Sequence, residues 1–181
     1  MPLVSAIPTS RFGRALPWAG LAGRLVLGAL FVYAGALKVT EPKDAALAVQ
    51  AYRLFPVDLA RVIGYALPTI EIVLGLLLIV GLFTRWAAAA TGALLVAFVI
   101  GIVSVWVRGY NIDCGCFGSG GDVTAGGRNA RYATEIARDG LMLGIAVLLV
   151  WRPRTPFSLD RYLEPVTATD PVTEPDREDA L

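Results

Sequence analysis

An all-α membrane protein, an up-and-down bundle of four spanning helices with a Cys-Gly-Cys loop between the third and fourth, is the fold class that this 181-residue sequence predicts. Apolar residues make up 56% of the chain and charged residues 17%, with a mean hydropathy of +0.62, which is too apolar for an ordinary soluble domain. Apolar runs recur at about 18–39, 62–83, 87–107 and 130–151. Each is long enough to cross a hydrocarbon core of about 30 Å at ~1.5 Å per residue. The chain's two cysteines, Cys114 and Cys116, stand one residue apart between the last two runs. A net charge of +1 lacks the basic excess of a nucleic-acid-binding surface. The absence of histidine removes the usual ligands of haem b and non-haem iron.

Residues 1–17, with Pro2, Pro8 and Pro17, read as a lead-in to the membrane domain, 18–151. The first run is longer than the core of a secretory signal and lacks a convincing cleavage site, so it reads as a span. Arg24, Gly28, Phe31, Gly35 and Lys38 recur along it at steps of four and three and share one face. Small and charged residues on such a face belong against another helix rather than lipid. In the connection that follows, Glu41-Pro42-Lys43-Asp44 is a helix start, and a short surface helix is expected over roughly 43–53.

The second span places Pro68, Glu71, Gly75 and Leu78 on one face, turning the carboxylate into the bundle. Thr84-Arg85-Trp86 reads as the turn into the third, most apolar span. The fourth opens with Glu135, Arg138 and Asp139 and is continuously apolar only from Leu141. Residues 152–181 form a tail, with Pro165, Pro171 and Pro175 among acidic and threonine residues marking disorder from about 165.

Alternating spans bring the end of the first, the start of the second, the end of the third and the start of the fourth to one membrane face. Lys38, Cys114, Cys116, Arg138 and Asp139 therefore gather there, with Glu71 deeper. If the second span starts near Val62, Glu71 lies about 13 Å into it, which argues against a direct Lys38–Glu71 pair. Cations near a thiol raise its thiolate fraction, a role open to Lys38 and Arg138, and Glu71 or Asp139 are candidates to exchange the protons of dithiol oxidation.

Gly115 permits the tight bend a Cys114–Cys116 disulfide requires. Such a small ring departs from relaxed disulfide geometry and is easily reduced, which favours a redox pair over a staple. Two unrelated thiols, a structural loop lock and a soft-metal site remain alternatives; a zinc site is short of ligands. Six basic residues, Arg11, Arg14, Arg85, Arg152, Arg154 and Arg161, are counted on one face against Lys43, Arg53, Arg61, Arg108, Arg128 and Arg131 on the other, so charge does not orient the chain. Thiol pairs that cycle are at home outside the reducing cytosol, which puts the cysteine loop on the extracytoplasmic side of the cell membrane.

Over roughly residues 20–151 the chain resembles the MauE branch of the DoxX-like membrane proteins, named for methylamine utilisation. The resemblance rests on the first-span face from Arg24 to Lys38, Tyr52 and Pro56, the second-span set Pro68, Glu71 and Gly75, Arg138-Asp139 and, most specifically, Asp113-Cys114-Gly115-Cys116-Phe117-Gly118. It implies a four-helix bundle engaged in thiol–disulfide oxidoreduction outside the cytoplasm, beside a thioredoxin-like partner, in support of disulfide formation or maturation of an exported enzyme. The expected site is Cys114, Cys116, Glu71, Arg138, Asp139 and Lys38, with no metal and no covalent cofactor. A non-catalytic DoxX-like subunit scaffolding a quinone-linked complex is the alternative, with a quinone as the open question among cofactors. A carrier built around Glu71 is a third reading.

Overall fold

The computed structural model describes residues 11–113, 121–122 and 128–151, with side chains over 18–112 and 129–151. Cys114, Cys116, the first ten residues and everything from 152 onward, including the expected tail, lie outside the described residues. The elements in order are α1 (Arg11–Thr40), α2 (Pro42–Ala51), α3 (Val57–Val80), α4 (Thr84–Val107), β1 (Ile112–Asp113), β2 (Gly121–Asp122) and α5 (Arg128–Trp151). The four long helices close a ring in which α1 packs on α3, α3 on α4, α4 on α5 and α5 back on α1. The short helix α2 lies against the start of α3, near its expected place, and touches β2.

Trp18–Thr40 of α1, α3 and α4 are long and apolar enough to cross a membrane. The chain is thus a multi-pass membrane protein. Large apolar side chains such as Ile70, Val73, Ile100 and Val107 are exposed on the outside of these helices, where lipid replaces water. α5 matches α3 and α4 at 24 residues, but its Glu135, Arg138 and Asp139 lower its mean hydropathy.

Helix boundaries differ from the sequence reading where charge masked a start or glycine marked an end. α3 begins at Val57, five residues before the apolar run, with Pro56 ahead of it and Asp58 in its first turn, where an acid suits the helix dipole. It stops at Gly81, whose left-handed φ of 75° lets Gly81 N and Leu82 N both donate to Leu77 O, at 2.9 and 3.1 Å. The turn is therefore Gly81–Phe83, and Thr84-Arg85-Trp86 forms the first turn of α4 instead.

Glycines fix how α1 and α3 meet. A Cβ added to Gly28 would stand 2.8 Å from Gly75 O, and one on Gly75 would stand 2.6 Å from Gly28 O. One on Gly35 would lie 2.7 Å from Pro68 O. All these would-be neighbours are backbone, which cannot yield as a flexible side chain does. Gly75→Ala should accordingly destabilise the bundle by about 1–3 kcal/mol through overpacking. Gly92→Ala, whose new methyl would meet only Ala146 and Leu143 at 3.6 Å, should be neutral or stabilising. Thermal unfolding of the two variants in detergent micelles checks the contrast; equal losses would refute the close seam.

Candidate functional site

The two faces read from the sequence are the faces that pack. On α1, Arg24, Leu27, Gly28, Phe31, Ala34, Gly35 and Lys38 are buried; on α3, Gly64, Pro68, Glu71, Gly75 and Leu78 are. Lys38 Nζ donates to Glu71 Oε1 at 2.5 Å, with the two side chains 8% and 2% exposed. This corrects the depth argument against a direct pair.

α3 in fact starts earlier than expected, so Glu71 lies even further into it, about 21 Å at ~1.5 Å per residue. Two features bring the partners together nonetheless. The first turns of α3 run past the end of α1 and rest on α2, where a Cβ on Gly64 would meet the Ala46 Cα. Gly28 opposite Gly75 and Gly35 opposite Pro68 set Lys38 opposite Tyr65, leaving Glu71 about 9 Å deeper. Side chains on a helix lean toward their own N-terminus, so on antiparallel helices they lean toward each other. Lys38 reaches inward, Glu71 outward, and they meet.

α5 brings the second pair to the same place. Arg138 Nε and Nη2 both donate to Asp139 Oδ1, at 3.0 and 2.9 Å. Asp139 is buried, while Arg138 is partly open. Lys38, Glu71, Arg138 and Asp139 all line one small cavity of about 20 Å³, walled by apolar residues including Phe31, Ala34 and Phe98. Lys38 Nζ lies 5.6 Å from the Phe98 ring centroid, within cation–π reach. Glu71 Oε2 and Asp139 Oδ2 are buried with no hydrogen-bond donor among the described residues.

The quartet is two cations and two carboxylates, which compensate one another where a lone buried charge would be prohibitively costly. Because each cation is held by a carboxylate, the two present dipoles rather than net positive charge to their surroundings. That weakens the expectation that Lys38 and Arg138 activate a thiol, and leaves the carboxylates as the groups equipped to exchange protons.

Beyond this layer, at the end where α4 leaves and α5 returns, Tyr132 ties the strands down. Its hydroxyl accepts from Ile112 N at 3.0 Å and shares its own hydrogen between Tyr110 O at 3.0 Å and Ile112 O at 3.1 Å. Trp106 packs edge-on against the Tyr132 ring at 6.1 Å and donates to Asn129 Oδ1. Arg108 Nη2 donates to Tyr52 O at 2.5 Å. The guanidinium groups of Arg53 and Arg108 lie 4.8 and 5.0 Å from the Tyr110 ring centroid. β1 pairs antiparallel with β2, Ile112 with Asp122 and Asp113 with Gly121.

Four of the six expected site residues are thus brought together, and Cys114 and Cys116 lie outside the described residues. Sequence reasoning passed over Tyr132. Its spacing of seven from Asp139, two turns on one helix face, was the available signal.

Lys38→Met should strand the Glu71 carboxylate and lower stability by about 3–5 kcal/mol, and adding Glu71→Leu should restore most of the loss. Thermal melts of the single and double variants in micelles measure this; a double variant as unstable as the single would overturn the account. Tyr132→Phe should cost about 1–3 kcal/mol by leaving the buried Ile112 amide unpaired. Hydrogen–deuterium exchange should show that amide losing its protection.

Comparison with known proteins matches residues 16–152 to the family described as Methylamine utilisation protein MauE. Among curated relatives, the methylamine utilization protein MauE of Paracoccus denitrificans is 34% identical over 98 residues, which are 54% of this chain and 53% of that protein. The match thus spans about half the length of that relative. No solved structure matches the chain. The matched residues take in every element from the membrane-length part of α1 to α5, with the paired strands and Lys38, Glu71, Arg138 and Asp139, and the chain belongs to the MauE family.

Proposed function

We propose that this protein serves methylamine utilisation as a membrane component that exchanges thiol/disulfide electrons through Cys114 and Cys116 with a thioredoxin-like partner. α5 crosses the cell membrane as a fourth span. The segment between β1 and β2 lies outside the cytoplasm, and the exchange supports disulfide formation in, or maturation of, an exported enzyme. The observation that supports the reading is the β1–β2 register: Asp113 pairs with Gly121, so the two residues that flank the cysteine-bearing stretch meet at one point. That point is the end of the bundle toward which the buried charges lie. α5 can span despite its charges because Asp139 is buried and Arg138 is bound to it, facing the bundle and not lipid.

In the direction that oxidises the partner, a partner thiolate attacks the Cys114–Cys116 bond to form a mixed disulfide. A second partner thiolate resolves it, closing the partner's disulfide. Two electrons pass to Cys114 and Cys116, which end as thiols after taking up two protons.

Cys114→Ser and Cys116→Ser, made singly, should differ in outcome, since the cysteine that attacks or is attacked first traps a mixed disulfide when its neighbour is removed. Non-reducing electrophoresis of membranes, followed by identification of the trapped chain, reads this out. An impermeant maleimide should label the reduced pair in intact cells. If the double serine variant still supports full maturation of the exported enzyme, or labelling occurs only after lysis, the reading fails.

A further inference from the structure

The small cavity lined by both ion pairs has a donor deficit beside it. Glu71 on α3 and Asp139 on α5 each use one carboxylate oxygen in an ion pair and leave the other buried with no donor among the described residues. Both residues are about 2% exposed and both line the same cavity. Its volume of about 20 Å³ exceeds the ~10–15 Å³ that one water molecule requires.

The charged groups facing it are Lys38 from α1, Glu71 from α3 and Arg138 and Asp139 from α5, with Glu135 one turn nearer the start of α5. α4 contributes Leu95 and Phe98, which do not titrate. A metal cation is disfavoured by the ammonium and guanidinium groups beside the site. A neutral ligand with two donors fits.

We propose that the cavity binds one water molecule whose two O–H groups donate to Glu71 Oε2 and Asp139 Oδ2, joining the two ion pairs into a single proton-exchanging unit. Lys38 strengthens the fit, because its ammonium has three donors and the bond to Glu71 uses one. In the proposed arrangement a second donates to the water oxygen, bringing it to the three bonds typical of a buried water. A water between two carboxylates trades hydrogens with them without heavy-atom movement, so the unit can take up a proton on one helix and release it on another. The inference concerns the buried charges and not the thiols, so it does not depend on the proposed exchange chemistry.

Infrared spectra of the full-length protein in lipid nanodiscs, recorded in ordinary and in oxygen-18 water, isolate the O–H stretches of bound water. One band of a strongly hydrogen-bonded water is expected to disappear in Ala34→Leu, which fills the cavity and keeps all four charged residues. Glu71→Gln and Asp139→Asn should each shift or abolish the same band. Should Ala34→Leu not fold, the two carboxylate variants decide alone. The Cys114→Ser/Cys116→Ser protein should retain the band. Absence of the band from the unsubstituted protein, or a band altered by only one of the two carboxylate substitutions, would overturn the bridge.

Discussion

The bundle depends on the contact between Lys38 and Glu71. Each alone would be an unpaired charge buried away from bulk solvent, and each is tolerated because the other is there. Their meeting sets a condition on everything around them. α1 and α3 must run antiparallel, close and in one register, since a slip by one turn would carry the ammonium about 5.4 Å from the carboxylate. Gly28, Gly35 and Gly75 meet that condition by letting the two backbones touch where any side chain would hold them apart. The glycines and the ion pair are therefore one device: the first makes the approach possible, and the second makes only one approach acceptable.

Placed in that register, the charges form a layer between two apolar clusters. On one side Leu27, Phe31, Leu78, Leu95, Met142 and their neighbours make an apolar cluster. On the other, Ile102, Val105, Ile112 and Tyr132 pack beneath the strands. The sequence of α4 shows the same succession along one face, from Leu95 through Phe98 to Ile102 and Val105. α5 repeats it in reverse, with Tyr132, then Asp139, then Met142. The layer explains part of the lower hydropathy of α5: Asp139, with Arg138 bound to it, is turned inward.

Periodicity made much of this legible. The buried faces of α1 and α3 follow steps of three and four that identify Lys38 and Glu71 as inward-facing, and the parity of the spans brings Arg138 and Asp139 to them. What the sequence left hidden depended on geometry that periodicity does not contain. Depth along a helix axis argued against the Lys38–Glu71 pair, because counting residues ignores the lean of two side chains toward each other across an antiparallel seam. The start of α3 was hidden by Asp58 and Arg61, charged residues that end an apolar run without ending a helix. The strands are two residues each, too short for any alternation to show, and their anchor, Tyr132, is distant in sequence from the backbone groups it binds.

α5 is the element that relates these parts. Tyr132 and Asp139 stand seven residues apart on its buried face, two turns or about 10.5 Å along the axis, and the helix between them is unbroken. The hydroxyl that fixes Ile112, and through Ile112 the register of β1 with β2, is thereby held at a set distance from the carboxylate that closes the charged layer. A displacement of the paired strands that carried Tyr132 with it would have to move Asp139 too, or break the bonds to Ile112. The chain thus ties the paired strands between α4 and α5 to its buried ion pairs through one unbroken helix, so that neither can shift without moving the other or breaking the bonds between them.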